Sequence, residues 1–413
     1  MRTLITTALS AGLLLGSTGL ASKLTIWVIG DENAVKTMQP AVDLYKQAHV
    51  GTDFELRAIP GDQAFTKYLA ALASQSGPDL ITGYLSYGIE LGNKGGLVNI
   101  KQKYPALLAQ IAKTASPAIM KAITSLDGSL YALPFDQTVQ LTYYRKDLVK
   151  SAPKNWTELS GAIEKLRSST AAGSGAKGYI SQWGNVGWVG YFPYLYQAGG
   201  TLYDAKCSKS AINTQAGVDS LKYYANFYTK FKSPTDGWPD LEQGLENGDY
   251  AIGSTGNWSL QSIPISRPKL TGKWAVAKLP AGPSGKATAF AGGSLIGITA
   301  YSKNADLAAD FLKEMYSTRS TVAMIKAAAK IPALWLPAGR QDLATQVSLP
   351  ADQKAVLNAQ LKDTVGPPNC PGWEQSGDVL QKAIQGVVFN GTDPKAALDS
   401  VAETMNTNLV KYK

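Results

Sequence analysis

Histidine is almost absent from this chain of 413 residues, in which His49 is the only one. A Ser-His-Asp triad and a multi-histidine zinc site both need imidazole groups that the sequence does not supply in any suitable place. A phosphate-binding GxxxxGK[ST] loop is missing too, because the glycine-containing stretch 282–286 has the wrong spacing. These absences argue against the corresponding hydrolase, zinc-enzyme and nucleotidase chemistries, and we predict no cofactor and no metal.

Strong charge of one sign is also lacking. The 40 Lys and Arg residues exceed the 31 Asp and Glu residues by a net charge of +9, which is moderate for this length, and they form no dense cluster. Binding to nucleic acid is therefore not predicted. The acidic residues leave carboxylate-pair glycosidase chemistry open, although the sequence singles out no such pair.

One apolar run stands out, at the N-terminus. Arg2 gives a short positive start, residues 4–20 are largely apolar, and Ala21 completes a small-residue cleavage pattern. A membrane anchor is the alternative, but the run is short and interrupted by Ser and Thr. We predict a signal peptide at 1–21 and export to the periplasm or cell envelope. No Cys follows the run, which predicts a protein that is not anchored by a lipid.

Two cysteines are present, Cys207 and Cys370. In an oxidising compartment one long-range disulfide is favoured over two free thiols, although the sequence leaves both open.

The beginning of the mature chain alternates strands and helices. Residues 24–29, 54–59 and 80–81 are short β-rich runs, and the segments between them have apolar residues at helical spacing, with Pro40 marking a kink or a late helix start. This alternation predicts a parallel α/β sheet. Ligands of such sheets sit beyond the carboxyl ends of the strands, which places Asp31, Glu32 and Tyr84 at one rim.

A second α/β region follows. Asn155 with Glu158 three residues later predicts a capped helix start. Residues 179–200 then combine repeated glycines with seven aromatic residues, among them Trp183 and Trp188. At least one of the two tryptophans should face a cleft, whereas tyrosines 191, 194 and 196 are expected in the core.

Short motifs in order along the chain give it a resemblance to a known family. They are KLTIW–GD at 23–31, SGPDLI at 76–81, YALP at 131–134 with LTYYRKDL at 141–148, NWTEL at 155–159, LENGDYAIGSTGNW at 245–258, and FAGG at 290–293 followed by 304–311. Together they resemble the family 1 extracellular solute-binding proteins, most closely the maltose/maltodextrin- and trehalose-binding members.

The resemblance implies a type II periplasmic-binding-protein fold of two α/β lobes, each a mainly parallel sheet flanked by helices and joined by hinge strands. It implies an N-terminal lobe of 22–136 and 292–345 and a C-terminal lobe of 137–291 and 346–413. It also implies a monomer that is not an enzyme and that delivers its ligand to the membrane permease of an ABC importer with a separate ATPase.

Candidate ligand-binding residues are those that could hydrogen-bond hydroxyls or stack on a sugar face. Carboxylates and amides supply the hydrogen bonds, and tryptophan and tyrosine supply rigid apolar planes. The candidates are Asp31, Glu32, Tyr84, Asp136, Gln137, Trp183, Trp188, Trp258, Gly292, Gly293 and Trp373.

Each candidate also has a structural interpretation. Asp31 and Glu32 could cap a helix, Gly292 and Gly293 could serve hinge freedom, and the aromatic residues could pack in the core or under loops. At Thr138 the family often has an acidic ligand residue, so the chain departs from the pattern there.

The predicted ligand is a small carbohydrate such as maltose, a malto-oligosaccharide or trehalose. The alternatives are the same fold binding glycerol phosphate, which would call for arginines, or a polyamine, which would call for several carboxylates with aromatics. A secreted carbohydrate-active enzyme is the remaining alternative.

Overall fold

The computed structural model describes residues 22–168, 179–181, 186–235, 240–332 and 334–411. The predicted signal peptide and Trp183 lie outside the described residues. The strands are β1 (Ser22–Ile29), β2 (Thr52–Ile59), β3 (Leu80–Tyr84), β4 (Leu133–Pro134), β5 (Thr138–Arg145), β6 (Ile180–Ser181), β7 (Ile252–Gly256), β8 (Trp274–Ala277), β9 (Ala289–Gly292), β10 (Ser294–Ile298) and β11 (Thr364–Val365).

Helices connect and cover these strands. They are α1 (Glu32–Ala48), α2 (Gly61–Ser74), α3 (Tyr87–Asn93), α4 (Ile100–Lys103), α5 (Pro105–Ala112), α6 (Pro117–Ile123), α7 (Trp156–Ser168), α8 (Trp188–Gln197), α9 (Gln215–Thr229), α10 (Leu241–Asn247), α11 (Ser259–Ser266), α12 (Ala305–Met315), α13 (Thr318–Ala328), α14 (Ala351–Leu361), α15 (Trp373–Asn390) and α16 (Pro394–Lys411), with 3₁₀ segments at Pro268–Leu270 and Ala338–Gln346. Within the described ranges, no helix is both long and apolar enough to cross a membrane.

The first sheet has the order β2-β1-β3-β10-β4 and contains the strands expected from the first three β-rich runs. β1 runs parallel to β2 and β3, while β10 is antiparallel to both β3 and β4. Four of the five strands therefore point the same way. The alternation of strand and helix in the sequence correctly predicted the parallel strands β1, β2 and β3, whereas it gave no sign of β4 and β10.

The second sheet has the order β11-β9-β5-β7-β6, with β8 also paired to β5. β5 is antiparallel to β7, β8 and β9, and the remaining ladders are parallel. In each sheet one strand runs against the others, and that strand, β10 or β5, is the first after the chain has crossed from the other sheet. The prediction of two lobes, each with a sheet of mainly parallel strands, is thus confirmed.

Local sequence signals explain where key helices begin. Asn155 Oδ1 accepts a hydrogen bond from the backbone of Glu158 at 2.9 Å, and the Glu158 carboxylate accepts one from the backbone of Lys154 at 2.8 Å. Asn155 therefore caps α7 as predicted, and the Glu158 carboxylate bonds the N–H of the residue before the cap rather than that of Asn155 itself. Pro40 is different, because α1 begins at Glu32 and continues through the proline, so a late start at Pro40 is wrong.

Helices from the far parts of the chain complete both lobes. α12 and α13 pack on α1, and the Tyr45 hydroxyl on α1 donates to Asp310 on α12 at 2.8 Å. α15 and α16 pack on α9 in the second lobe. In that lobe the structure joins Cys207 and Cys370 by a disulfide, with 5.5 Å between their Cα atoms and both residues buried.

Candidate functional site

A cleft of about 740 Å³ lies where residues from the two lobes meet. This volume is in the range of small-molecule sites. Its lining combines aromatic rings, carboxylates and backbone from both sheets. The lining residues are Ile29, Gly30, Asp62, Tyr84, Leu85, Ser86, Tyr87, Asp136, Thr138, Gly187, Trp188, Val189, Trp258, Phe290, Gly292, Gly293, Ser294, Pro367, Glu374 and Gln381.

The first lobe contributes the carboxyl ends of its parallel strands. Gly30 follows β1 and Tyr84 ends β3, as the rule for parallel sheets predicts. The Tyr84 side chain is 48% exposed, and its hydroxyl lies so near Gly61 that a Cβ there would come within 2.3 Å of it. Partial desolvation by the surrounding cleft, reinforced by the carboxylates of Asp136 and Asp62, raises the pKa of this half-exposed tyrosine, so its hydroxyl stays protonated and can donate a hydrogen bond.

The crossing strands hold Asp136 and the two glycines at the cleft. Asp136 Oδ1 accepts a hydrogen bond from the Ser294 N–H at 2.5 Å. Gly293 has a φ of +135°, and a Cβ there would meet the Asp136 carbonyl oxygen at 2.3 Å, so glycine is required both for its conformation and for the close approach. Burial raises the pKa of Asp136 and the Ser294 hydrogen bonds oppose that rise.

The second lobe contributes the aromatic surface. Trp188 begins α8 and makes edge-to-face contacts with Trp373 and Phe290, at ring-centroid distances of 5.1 and 5.8 Å. Trp258 follows β7 and its indole lies against Gly256, where a Cβ would come within 1.9 Å of the ring. The small residue thus lets the half-buried indole fold back over the strand end and face the cleft.

Trp373 does not line the cleft, so its interpretation as a stacking platform is not supported by the geometry. Its side chain is 1% exposed and packs between Trp188 and Tyr203. A ring can stack on a ligand only if one face is open, and here both are covered by the core. Trp373 therefore supports Trp188 from behind, which corresponds to the packing alternative.

Three further candidates lie outside the lining. Asp31 caps α1, its Oδ1 accepting from the N–H groups of Asn33 and Ala34 at 2.9 and 3.3 Å, and Glu32 is exposed in the first turn of that helix. Gln137 is buried, and its backbone N–H donates to the Leu336 carbonyl at 3.0 Å. The capping interpretation of Asp31 thus fits its contacts, and Gly30 is the lining residue at this loop.

Sequence reasoning missed several lining residues. Asp62 lies in the first turn of α2 and Glu374 in the first turn of α15. An acidic residue at the start of a helix that follows a predicted rim residue was the available signal for both. Ser86, Tyr87 and Phe290 adjoin recognised residues or motifs. Gln381, two turns further along α15, carries no sequence signal of its own.

The charged groups of the lining have one sign. They are the carboxyl groups of Asp62, Asp136 and Glu374, with no Lys, Arg or His among the lining residues that the structure describes. Burial, with the charges of Glu90 and Asp378, raises the pKa of Glu374 to about 7. The described residues contain no group of three or more His, Cys, Asp or Glu placed to hold a metal ion.

Comparisons with known proteins identify this architecture. A lactose-binding protein of Rhizobium radiobacter is 27% identical over 334 residues, 76% of this chain and 75% of its own length. The maltodextrin-binding protein MdxE of Bacillus subtilis is 24% identical over 340 residues, 78% of this chain and 76% of its own. The GacH receptor of Streptomyces glaucescens, solved unliganded and with acarbose, superposes with a TM-score of 0.81 at 23% identity, covering 95% of this chain and 100% of that one.

The fold seen in such structures is the type II periplasmic-binding-protein fold, which this chain shares. The profile of the bacterial extracellular solute-binding protein family matches residues 30–322, well over half of the sequence. The chain therefore belongs to the bacterial extracellular solute-binding protein family, whose members are binding proteins of ABC transporters rather than enzymes.

Proposed function

We propose that this chain is the extracytoplasmic binding subunit of an ABC sugar importer, and that it captures maltose, a malto-oligosaccharide or trehalose between its lobes. The observation that carries the proposal is the composition of the interlobe cleft. Trp188 and Trp258 supply apolar planes, while Tyr84, Asp136 and Glu374 supply hydrogen-bonding groups. A pyranose needs both, because its C–H faces prefer an aromatic surface and its hydroxyls need polar partners.

Capture works by lobe closure. The cleft draws residues from both lobes, so a sugar that touches both binds the closed arrangement more tightly than an open one. The proposed lobes are 22–136 with 292–345, and 137–291 with 346–413. The crossing strands, tied by Asp136 and Ser294, act as the hinge, and a membrane permease then recognises the closed shape and receives the sugar.

The proposed location is the periplasm or cell envelope, reached through a signal peptide at 1–21. The relatives' names, lactose-binding and maltodextrin-binding, support a carbohydrate as the ligand. We propose that the protein acts as a monomer with separate permease and ATPase partners.

A polyamine is the second candidate, because the three lining carboxyl groups and the aromatic rings are the groups that an organic cation needs. Glycerol phosphate fits poorly, since the described lining offers no basic side chain to neutralise its charge.

Tryptophan fluorescence of the purified mature chain, titrated with maltose, maltotriose, trehalose, glucose, glycerol phosphate and spermidine, distinguishes these ligands. Saturable responses to one or more of the sugars support the proposal. A response to spermidine or glycerol phosphate without any response to sugars overturns it. Trp258→Phe is the matched variant, with Trp274→Phe as the control, because Trp274 packs on Tyr143 away from the cleft lining.

A further inference from the structure

The helix that brings Glu374 to the cleft has no cap of its own. α15 begins after Gly372, which is in the left-handed region with a φ of +70° and has no side chain to accept hydrogen bonds. The first N–H groups of a helix have no partner within the helix and carry a partial positive charge. A helix of 18 residues that starts beside a ligand cleft therefore needs an acceptor from elsewhere in the molecule.

That acceptor comes from the other lobe. Glu90 lies on α3, which packs against β3 of the first sheet, and it is 5% exposed. Its carboxylate accepts a hydrogen bond from the Glu374 N–H, with 3.5 Å between Oε1 and the Glu374 nitrogen, and it faces the neighbouring N–H groups of Gly372 and Trp373. A carboxylate of the first lobe thus occupies the place of an N-cap on a helix of the second lobe.

The same helix organises one wall of the cleft. Glu374 lines the cleft directly, Trp373 packs against the back of Trp188, and Gly377 lies against the Trp188 ring. Any shift of the start of α15 would therefore move both a carboxyl group and an aromatic plane that line the cleft.

We propose that Glu90 is a positioning residue for ligand capture, which docks on the N-terminus of α15 as the lobes close and fixes Glu374 and Trp188 against the ligand. The inference rests on the proposed function, because it assigns a role within closure of the same cleft. In an open arrangement the carboxylate and the helix terminus would separate and each would be hydrated. Part of the stability of the closed state then comes from a contact between the two lobes that the ligand does not touch.

The contact is also sensitive to protons. The charged or titratable groups that face Glu90 are Lys94, Tyr203 and Glu374. Burial raises the pKa of Glu90, while the backbone donors and Lys94 oppose that rise. Closure thus places two acidic groups, Glu90 and Glu374, close together in a sheltered site.

Glu374 is faced by Ser86 and Tyr87, and by the acidic residues Glu90 and Asp378. Its pKa rises to about 7 in the present arrangement, in which Glu90 contacts α15, whereas a solvated carboxyl titrates near its ordinary value. A carboxyl group whose pKa is raised by closure takes up a proton when the lobes close. Low pH therefore favours closure, and this favourable free energy is lost as the pH rises through about 7. Ligand affinity should therefore fall between about pH 5.5 and about pH 8.

The test compares Glu90→Ala and Glu90→Gln with the wild type, using maltose, or spermidine if only spermidine gives a response. Alanine removes every acceptor and should weaken binding about tenfold, the loss expected for one charge-assisted contact. Glutamine keeps one acceptor oxygen and should restore most of the affinity. It should also weaken the dependence of affinity on pH, because the negative charge of Glu90, which adds to the effect of burial on the Glu374 pKa, is gone.

Glu314→Gln is the matched control. Glu314 accepts from the Ser317 and Ser320 hydroxyls at the start of α13, wholly within the first lobe and outside the cleft lining. It should change neither affinity nor its pH dependence. Unchanged affinity in Glu90→Ala, or a wild-type pH profile in Glu90→Gln, overturns the role of Glu90 while leaving the sugar proposal intact. A wild type that binds only spermidine overturns the sugar proposal and still tests Glu90.

Discussion

Asp136 and Ser294 connect the two strands that pass between the lobes. The Asp136 carboxylate accepts the Ser294 N–H at 2.5 Å, and the Asp136 and Phe135 N–H groups in turn donate to the Ser294 carbonyl at 3.1 and 2.9 Å. Both residues line the cleft. The proposed hinge and the proposed ligand site therefore share these two residues, and a change at one site should be measurable at the other.

Replacement of Asp136 by alanine should both destabilise the fold and weaken binding. It leaves the Ser294 N–H without its carboxylate partner, which costs about 1–3 kcal/mol of unfolding free energy. Urea unfolding measures that loss and calorimetry with maltose measures the affinity. Asp136→Asn retains an acceptor oxygen and should recover most of the stability. Equal stability of the alanine variant and the wild type would contradict the importance of this hydrogen bond.

Trp258→Ala should weaken sugar binding about tenfold or more, since the loss of an aromatic plane removes both apolar area and stacking. The Trp274→Ala control should lower stability without a comparable loss of affinity, because Trp274 lies outside the cleft lining and stacks on Tyr143 at 6.1 Å. Isothermal titration of both variants with maltotriose provides the comparison. A similar loss of affinity in both would show that Trp258 acts only through packing.

Gly293→Ala should be strongly destabilising. The new Cβ would meet the Asp136 carbonyl oxygen at 2.3 Å, and φ is +135° at this position, so both backbone strain and overlap are introduced. We expect a loss of more than about 2 kcal/mol in urea unfolding. Gly272→Ala is the control: its φ is +74° and no atom lies within 4 Å of the added methyl group, so it should cost about 1 kcal/mol.

Loss of the disulfide should destabilise the second lobe. Cys207 and Cys370 close a loop with a sequence separation of 163, and the constraint on the unfolded chain is worth about 2–5 kcal/mol. The double variant Cys207→Ser/Cys370→Ser should unfold at lower urea concentration than the wild type. Addition of dithiothreitol should lower the wild-type midpoint and leave that of the double variant unchanged. Identical midpoints for oxidised wild type and double variant would contradict the prediction.

Glu374 should make the stability of the protein depend on pH. Its pKa is raised to about 7 in the folded chain, and a raised carboxyl pKa stabilises the fold below the ordinary value and ceases to do so as the pH rises through 7. Between about pH 5.5 and about pH 8 the wild type should lose up to about 2 kcal/mol more than Glu374→Gln does. Urea unfolding of both proteins at the two pH values measures this difference, and parallel pH profiles would refute it.

Much of the fold could be predicted because the sequence carries local signals for it. The alternation of β-rich runs with helical periodicity predicted β1 to β3 and the helices between them, and Asn155 with Glu158 predicted the capped start of α7. The assignment of α12 and α13 to the first lobe depends on long-range packing, such as the Tyr45–Asp310 hydrogen bond. Only the family resemblance predicted that the chain returns to the first lobe to form these two helices.

The cleft was harder to predict than the fold. Strand ends and motifs suggested Tyr84, Asp136, Trp258 and the two glycines, and the aromatic segment 179–200 suggested Trp188; all of these residues line the cleft. Asp31 and Trp373 have the residue types that a sugar site uses, yet one caps a helix and the other is covered on both faces. Residue type and spacing do not reveal which face of a ring is open, nor that α15 would bring Glu374 and Gln381 to the cleft.

Small-angle X-ray scattering of the mature chain tests the central claim most directly, because closure around a sugar makes the molecule more compact. With the sugar that gives the largest fluorescence change, the radius of gyration should fall for the wild type and for Trp274→Phe, and fall less for Trp258→Ala at the same sugar concentration. A radius that stays constant at a sugar concentration that saturates the fluorescence would contradict capture by closure. So would compaction on addition of spermidine or glycerol phosphate but of no sugar.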